Sequence, residues 1–289
     1  MPELPEVAAL AAELHRRLSG RGVQALRVLS VACLRTVDPP PDALAGARVR
    51  SVSRRGKFLI LTAEAEPGEL CLVVHLARAG WIRWREGPPP APRPRRSPIA
   101  AQLVLDDGSG VDLTEAGSKK ALAIWVVRDP LEVPGIARLG PEPLDPAFSL
   151  EQFSRILASA GRARIKGVLR DQSLIAGIGN AYSDEILHAA RMSPFTPASM
   201  PPEQVAALYG AMRSTLAEAV ERADGLAASE LKGEKKSAMR VHGRTGQPCP
   251  VCGDTVRQIV YADWSLQYCP GCQTDGVVLA DRALSRLLK

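Results

Sequence analysis

The sequence predicts an α+β multidomain protein: an N-terminal β-sandwich with a leading helix, a helical domain containing a helix, a glycine-punctuated turn and a second helix, and a C-terminal zinc ribbon. Three observations predict it. Apolar residues recur at helical spacing straight after the N-terminus, strand-like segments separated by turn residues follow, and two Cys-x2-Cys knuckles lie near the C-terminus.

The first element is a helix. Pro5 suits its first turn, and Val7, Leu10, Ala11, Leu14 and Leu18 keep helical spacing until Gly20 stops the run. Methionine aminopeptidase removes an initiator Met that precedes a small residue, so the mature chain is expected to begin with the secondary amine of Pro2. Attack of such an amine on a sugar's anomeric carbon gives an iminium, whose positive charge drives elimination at neighbouring carbons. An α-amino group, with a reference pKa of about 7.7–8.0 against about 10.4 for lysine, is far more often the free nucleophile near neutrality. Glu3 beside it is a candidate general acid or base, and Glu6 lies in the first turn, where the helix dipole favours a carboxylate. Acidic residues at helix starts are also ordinary helix chemistry, so position alone does not decide their role.

The strands come next. Phe58–Thr62, Cys71–His75, Ala101–Leu105 and Leu122–Val127 alternate with turn residues and read as parts of a β-sandwich. Arg54-Arg55-Gly56-Lys57 precedes one of them as a cationic turn, and Cys33 and Cys71 read as reduced, buried packing residues. Gly87 to Pro98, rich in proline and arginine, reads as a poorly ordered insertion, and 130–146 as a linker. After it, Lys166 to Asn180 reads as a helix and a turn in which Gly177 and Gly179 permit tight geometry, with Asn180 capping the next helix and its amides forming an anion site. A further helix after Pro201-Pro202 sets Val205, Leu208, Tyr209, Met212, Leu216 and Val220 on one core-facing stripe.

The last element is the ribbon. Cys249-Pro250-Val251-Cys252 and Cys269-Pro270-Gly271-Cys272 are sixteen residues apart, a spacing that builds a four-thiolate zinc site around strands Val256–Tyr261 and Trp264–Tyr268. Four thiolates leave no open coordination position, so the expected ion is a single structural Zn2+.

Composition narrows the class. At 289 residues and 46% hydrophobic, the chain can hold two or three domains with real cores. Lys and Arg exceed Asp and Glu by 37 to 31, a net charge of +6 that suits a polyanionic partner. No apolar run is long enough to span a bilayer and the N-terminus lacks a signal-peptide pattern, so a cytoplasmic, nucleoid-associated location is expected.

The opening string MPELPEV, the lead-in from Val241 to Cys249, and the exit from Gln267 to Gln273 together resemble the formamidopyrimidine-DNA glycosylase and endonuclease VIII family of base-excision repair enzymes. The stretch from Lys166 to His188 is similar to that family's helix-two-turn-helix signature. The resemblance implies a bifunctional DNA glycosylase and AP lyase in which Pro2 is the nucleophile and Glu3, Glu6 and Lys57 share the catalytic machinery. It also implies that Lys57, Lys166 and Asn180 contact the DNA backbone. His75-Leu76 matches the strand leading to the lesion-probing loop.

Four positions depart from the family pattern. Arg78 stands where an apolar methionine usually fills the duplex gap, and Glu115 to Lys120, with Lys119 and Lys120, replaces the usual probing loop. Trp264 occupies the place of the finger arginine that holds phosphates, with Arg257 or another cation as a substitute. The segment Glu230 to Ser237 has no likeness to the loop associated with oxidised-purine recognition. The expected organisation is 1–130 catalytic β-sandwich, 147–240 helix-two-turn-helix domain and 241–289 zinc ribbon with tail, acting as a monomer on damaged double-stranded DNA with no membrane partner. Metal ligands are Cys249, Cys252, Cys269 and Cys272; DNA contacts are Lys57, Arg78, Lys119, Lys120, Lys166 and Asn180. The alternative is a catalytically weak protein of the same fold that binds damaged or branched DNA.

Overall fold

The computed structural model describes residues 1–89, 97–117, 119–262 and 264–279. The chain divides into two compact units, Met1–Arg138 with Ala223–Lys232, and Leu139–Arg222 with Gly233–Lys289.

The first unit opens with α1 (Leu4–Leu18) and continues through β1 (Val23–Val28), β2 (Arg48–Arg55), β3 (Phe58–Ala65), β4 (Gly68–His75), β5 (Gly80–Arg85), β6 (Ile99–Leu105), β7 (Gly110–Glu115) and β8 (Ala123–Val127) to the short α2 (Pro134–Ala137). The strands make two four-stranded antiparallel sheets, ordered β1-β6-β7-β5 and β2-β3-β4-β8. Helix α1 packs on β2 and β3 because its apolar stripe, Val7, Leu10, Leu14 and Leu18, is fully withdrawn from solvent. The inner faces of both sheets enclose an apolar cavity of about 30 Å³ whose lining includes Leu14, Val52, Leu61, Leu72, Leu103 and Leu113. This is the β-sandwich with a leading helix that the sequence predicts.

The second unit is helical before it becomes a ribbon. It contains α3 (Leu150–Ala160), α4 (Ile165–Arg170), α5 (Asn180–Ala189), α6 (Pro202–Ala223, whose last residue falls in the first unit), α7 (Leu231–Ala238, which begins in the first unit), the hairpin β9 (Arg257–Val260) and β10 (Ser265–Tyr268), and α8 (Pro270–Gln273). Ser149 and Gln152 cap α3 reciprocally, side chain to backbone, at 3.2 and 3.3 Å. Phe153, Leu157, Leu169, Tyr182, Leu208 and Met212 meet in its core. On α6 the buried stripe runs on through Ala219 and Ala223 rather than Val220, which is only half-buried.

One expectation is corrected in detail: Asn180 is the first helical residue of α5 and makes no side-chain cap, since Gly179 holds the N-cap position. Glu230 to Ser237, which has no likeness to the recognition loop, is largely helix α7. Of the proline-rich insertion, 90–96 lie outside the described residues. Among the described residues no helix is long and apolar enough to cross a membrane.

Candidate active site and metal centre

At the N-terminus, Pro2 is buried, and Glu3 and Glu6 are 2% and 3% exposed. Burying two carboxylates is costly unless hydrogen bonds satisfy them. A reciprocal capping box supplies such bonds: the Glu3 side chain accepts from the Glu6 backbone, and Glu6 Oε2 accepts from Glu3 N at 2.8 Å. Glu3 and Glu6 are therefore locked to one another, and Pro2 is tethered to the rigid start of α1.

Lys57 sits in the two-residue turn that joins β2 to β3, because Arg55 pairs with Phe58 and Gly56 takes a φ of 56°. Its side chain is only 8% exposed. Across the sheet, Phe58 pairs with His75, and their rings meet at 4.7 Å. Burial first, and the Lys57 ammonium second, push the His75 pKa down to about 4, so the imidazole is neutral at pH 7.

Beyond His75 the chain turns tightly. Gly80 N donates to the Leu76 carbonyl at 2.8 Å, Ala77 takes a positive φ of 50°, and a Cβ at Gly80 would collide with that carbonyl. The turn presents Arg78 to solvent. In the other predicted probing segment, the buried Glu115 carboxylate accepts from Ala121 N and Leu122 N at 2.6 and 2.8 Å, while Lys120 Nζ donates to the Glu115 carbonyl at 2.5 Å. Lys119 is exposed beside it.

In the second unit, Lys166 is 2% exposed. Its ammonium donates to Asp184 Oδ1 at 2.6 Å, Ser183 Oγ at 2.7 Å and the Asn180 carbonyl at 3.2 Å, so the start of α5 is fastened to α4. Asn180 Nδ2 donates to the Ser265 carbonyl at 2.7 Å, tying α5 to β10. Asp184 also meets His242 Nδ1 at 2.8 Å, and the neighbouring Glu185 carboxylate receives the backbone N–H groups of Arg240, Val241 and His242. Desolvation nevertheless holds the Glu185 carboxyl above the usual range. These polar groups dock the lead-in of the ribbon onto α5.

The four predicted cysteines converge. Sγ–Sγ distances are 3.9 Å for Cys249 and Cys272 and 3.3 Å for Cys252 and Cys269. Tetrahedral Zn–S bonds of about 2.3 Å require sulfur separations of about 3.8 Å, so the donor set fits the ion after small adjustments. Burial pushes the Cys272 thiol up to about 11 and the Cys269 thiol higher still. Cys252 is exposed, and hydrogen bonding from the Asp254 backbone lowers it.

One neighbour of this centre carried no spacing signal. His188 Nε2 lies 3.3 Å from Cys249 Sγ, and among the described residues the possible ligand atoms of His188, Cys249, Cys269 and Cys272 all lie within 4.8 Å of one another. Burial lowers the His188 pKa to about 4, leaving a neutral ring that can donate to a thiolate or ligate a cation. The only hint in the sequence is a histidine on the apolar side of a helix; the partner is sixty-one residues away.

Residues 1–119 match the family model described as the formamidopyrimidine-DNA glycosylase N-terminal domain, and 139–230 match that of the formamidopyrimidine-DNA glycosylase H2TH domain. The chain is 38% identical to the formamidopyrimidine-DNA glycosylase of Thermus thermophilus over 96% of its own length and 100% of that protein's. An uncharacterized formamidopyrimidine-DNA glycosylase-like protein of Mycobacterium tuberculosis is 57% identical, over 52% of this chain and 94% of its own. Among solved structures, the Thermus thermophilus MutM (Fpg) protein superposes with a TM-score of 0.77 at 35% identity, covering 94% of this chain and 98% of that one. The complex of Lactococcus lactis Fpg with abasic-site DNA gives a TM-score of 0.82 at 25% identity, covering 94% and 99%. Two models of one family cover most of the chain, and a relative at 38% identity is matched over its full length, so the chain belongs to the formamidopyrimidine-DNA glycosylase family.

Proposed function

We propose that this chain is a base-excision repair DNA glycosylase with AP lyase activity, working on damaged double-stranded DNA. The observation that carries the reading is the N-terminal capping box, which holds Glu3 and Glu6 almost fully buried beside Pro2. Removal of Met1 uncovers the proline nitrogen. That nitrogen attacks the anomeric carbon of a flipped nucleotide, forming an N–C bond as the bond to the damaged base breaks. Glu3 delivers a proton to the sugar's ring oxygen as the bond from that oxygen to the anomeric carbon breaks, which opens the ring and leaves the iminium, and Glu6 fixes the Glu3 backbone. The positive iminium then acidifies the adjacent sugar carbon; loss of that proton expels the 3′ phosphate and nicks the strand by elimination.

The remaining predicted residues take supporting parts. Lys57, held in the hairpin turn, binds the backbone beside the lesion, Arg78 on its tight loop enters the gap in the duplex, and Lys119 and Lys120 contact DNA from the segment that replaces the probing loop. Asn180 meets phosphate from the start of α5. Lys166 is a positioning residue in this reading, since its ammonium is withdrawn from solvent and braces the Asn180 carbonyl. Zinc is held by Cys249, Cys252, Cys269 and Cys272, with the His188 ring directed at Cys249; the ion supplies folding energy to the ribbon and no reaction step.

Borohydride reduction on a panel of lesion and abasic duplexes tests this reading, because it freezes the iminium as a covalent adduct. Trapping that disappears in Pro2→Gly, or when Met1 is retained, supports the proline mechanism. Glu3→Gln should bind DNA and lose single-turnover excision. Tight binding with no adduct and no nicking on any duplex would instead favour the catalytically weak binder.

A further inference from the structure

The hairpin of the ribbon carries a three-layer stack that the proposed chemistry does not use. Trp264 and Tyr261 stack with ring centroids 4.2 Å apart and planes 12° from parallel. The Arg170 guanidinium carbon lies 4.2 Å from the centroid of the same indole. Two groups at that distance cannot share one face, so Trp264 is sandwiched between Tyr261 and Arg170. Its indole therefore has no face left for a nucleobase, which rules out the usual use of an exposed tryptophan in nucleic-acid binding.

What the stack does present is Arg170. A guanidinium held over an aromatic ring loses much of the rotamer freedom that an extended arginine would give up on binding. The address is also informative. Arg170 ends α4, the helix whose Lys166 braces the Asn180 carbonyl, and Asn180 Nδ2 in turn bonds Ser265, the residue after Trp264. Arg170, Asn180 and the hairpin are thus fastened into one surface. Lys166 Nζ also lies 5.8 Å from the indole centroid, held against Asp184 Oδ1 in the interior. A planar, bidentate donor on a fixed platform suits a phosphodiester rather than a base edge or a carboxylate-bearing partner chain, given the net charge of +6.

We propose that Arg170, held by the Trp264–Tyr261 stack, is a DNA phosphate contact of this protein. The inference rests on the DNA reading above, and the experiment separates the two. Zinc-loaded full-length chain is titrated with abasic duplex DNA from 50 to 200 mM salt, for wild type, Arg170→Ala, Arg170→Lys, Trp264→Leu, the Arg170→Ala/Trp264→Leu double variant, and Arg155→Ala as a control on an exposed helix face. Arg170→Ala should reduce the slope of log affinity against log salt by about 0.9, the value for one phosphate on duplex DNA. Arg170→Lys should restore the slope without restoring affinity, because the charge returns but the stacked fork does not. Trp264→Leu should weaken binding, and the double variant should bind no worse than Arg170→Ala alone. An unchanged slope in Arg170→Ala, an equal drop in Arg155→Ala, or additive losses in the double variant would each overturn the contact while leaving the DNA reading intact. Absence of DNA binding by wild type would overturn both.

Discussion

The two units solve the same problem, polar side chains in a dry interior, by opposite means. In the first unit the core is mostly hydrocarbon: α1 and two sheets close over leucines and valines, while the buried carboxylates Glu3 and Glu6 at a helix start and Glu115 beside a loop each accept backbone amides. In the second unit the polar groups are the joints. Lys166, Asp184, Glu185 and His242 link α4, α5 and the lead-in to the ribbon, and the ribbon holds two small clusters, Val241 and Val256 with three cysteines, and Ile259 with Leu266 and Tyr268. A hydrocarbon core tolerates the loss of any one contact; a network of charges and thiols does not, because removing one partner strands the other. The comparison predicts where each unit breaks.

The largest effect should follow metal removal. Chelation, or Cys269→Ser, should unfold the ribbon from β9 through α8, since apparent zinc-binding energies of about 10–16 kcal/mol far exceed what so small a core can supply. Hydrogen exchange is the measurement: amides of β9 and β10 should lose protection while those of β3 and β4 keep it. Loss of protection in both units together would mean that the sandwich is not self-sufficient.

Next in size is the buried ion pair. Lys166→Met leaves Asp184, 1% exposed, with only His242 opposite it, and should cost about 3–5 kcal/mol in urea unfolding of the second unit. Adding Asp184→Leu should recover most of that loss. If the single variant costs less than about 1 kcal/mol, Lys166 is not the brace of α5 and a direct role at the surface regains ground.

These joints also explain what the sequence made legible. The apolar strands β3, β4, β6 and β8 were visible because alternating or continuous hydrophobic runs have few other uses, and the four cysteines were visible because metal coordination fixes their spacing. By contrast β2 goes unread as a strand, and its end, Arg54-Arg55, reads as part of a cationic turn: Arg48, Arg50, Arg54 and Arg55 dominate its composition, yet the strand buries Val49 and Val52 and pairs its arginine-rich end with β3. Asn180 looks like a cap because local rules favour it there, but Gly179 holds the N-cap position, and the Asn180 amide nitrogen donates to the Ser265 carbonyl eighty-five residues on. His188 and the Arg170–Trp264 stack were hidden for the same reason: each depends on a partner distant in sequence, and no periodicity records such a pair.

A mild acid step should sharpen the contrast within the sandwich itself. The His75 pKa falls from 6.5 to about 4 on folding, so the unfolded chain takes up a proton before the folded one does. Its contribution is fully present above pH 6.5 and is lost as pH falls from there towards 4, to a limit of about 3 kcal/mol. His75→Gln should flatten that stretch of the stability curve of the first unit, read by urea midpoints at stepped pH. An unchanged slope would place the acid sensitivity elsewhere.

The smallest expected change is at Glu6, and it separates scaffold from chemistry where the two are closest. Glu6 Oε2 accepts the Glu3 amide, so Glu6→Ala removes one half of the capping box and should cost about 1 kcal/mol, the ordinary value of a lost cap. Glu6→Gln keeps an oxygen in the same place and should cost almost nothing in stability. If Glu6 only anchors the Glu3 backbone, borohydride trapping should fall in Glu6→Ala and survive in Glu6→Gln, because the neutral amide preserves the geometry that aims Glu3 and Pro2. If the charge itself takes part in proton transfer, Glu6→Gln should lose trapping while keeping full stability. The second outcome would move Glu6 from a positioning residue to a catalytic one, and it would mean that even the hydrocarbon-built unit spends a buried charge on chemistry.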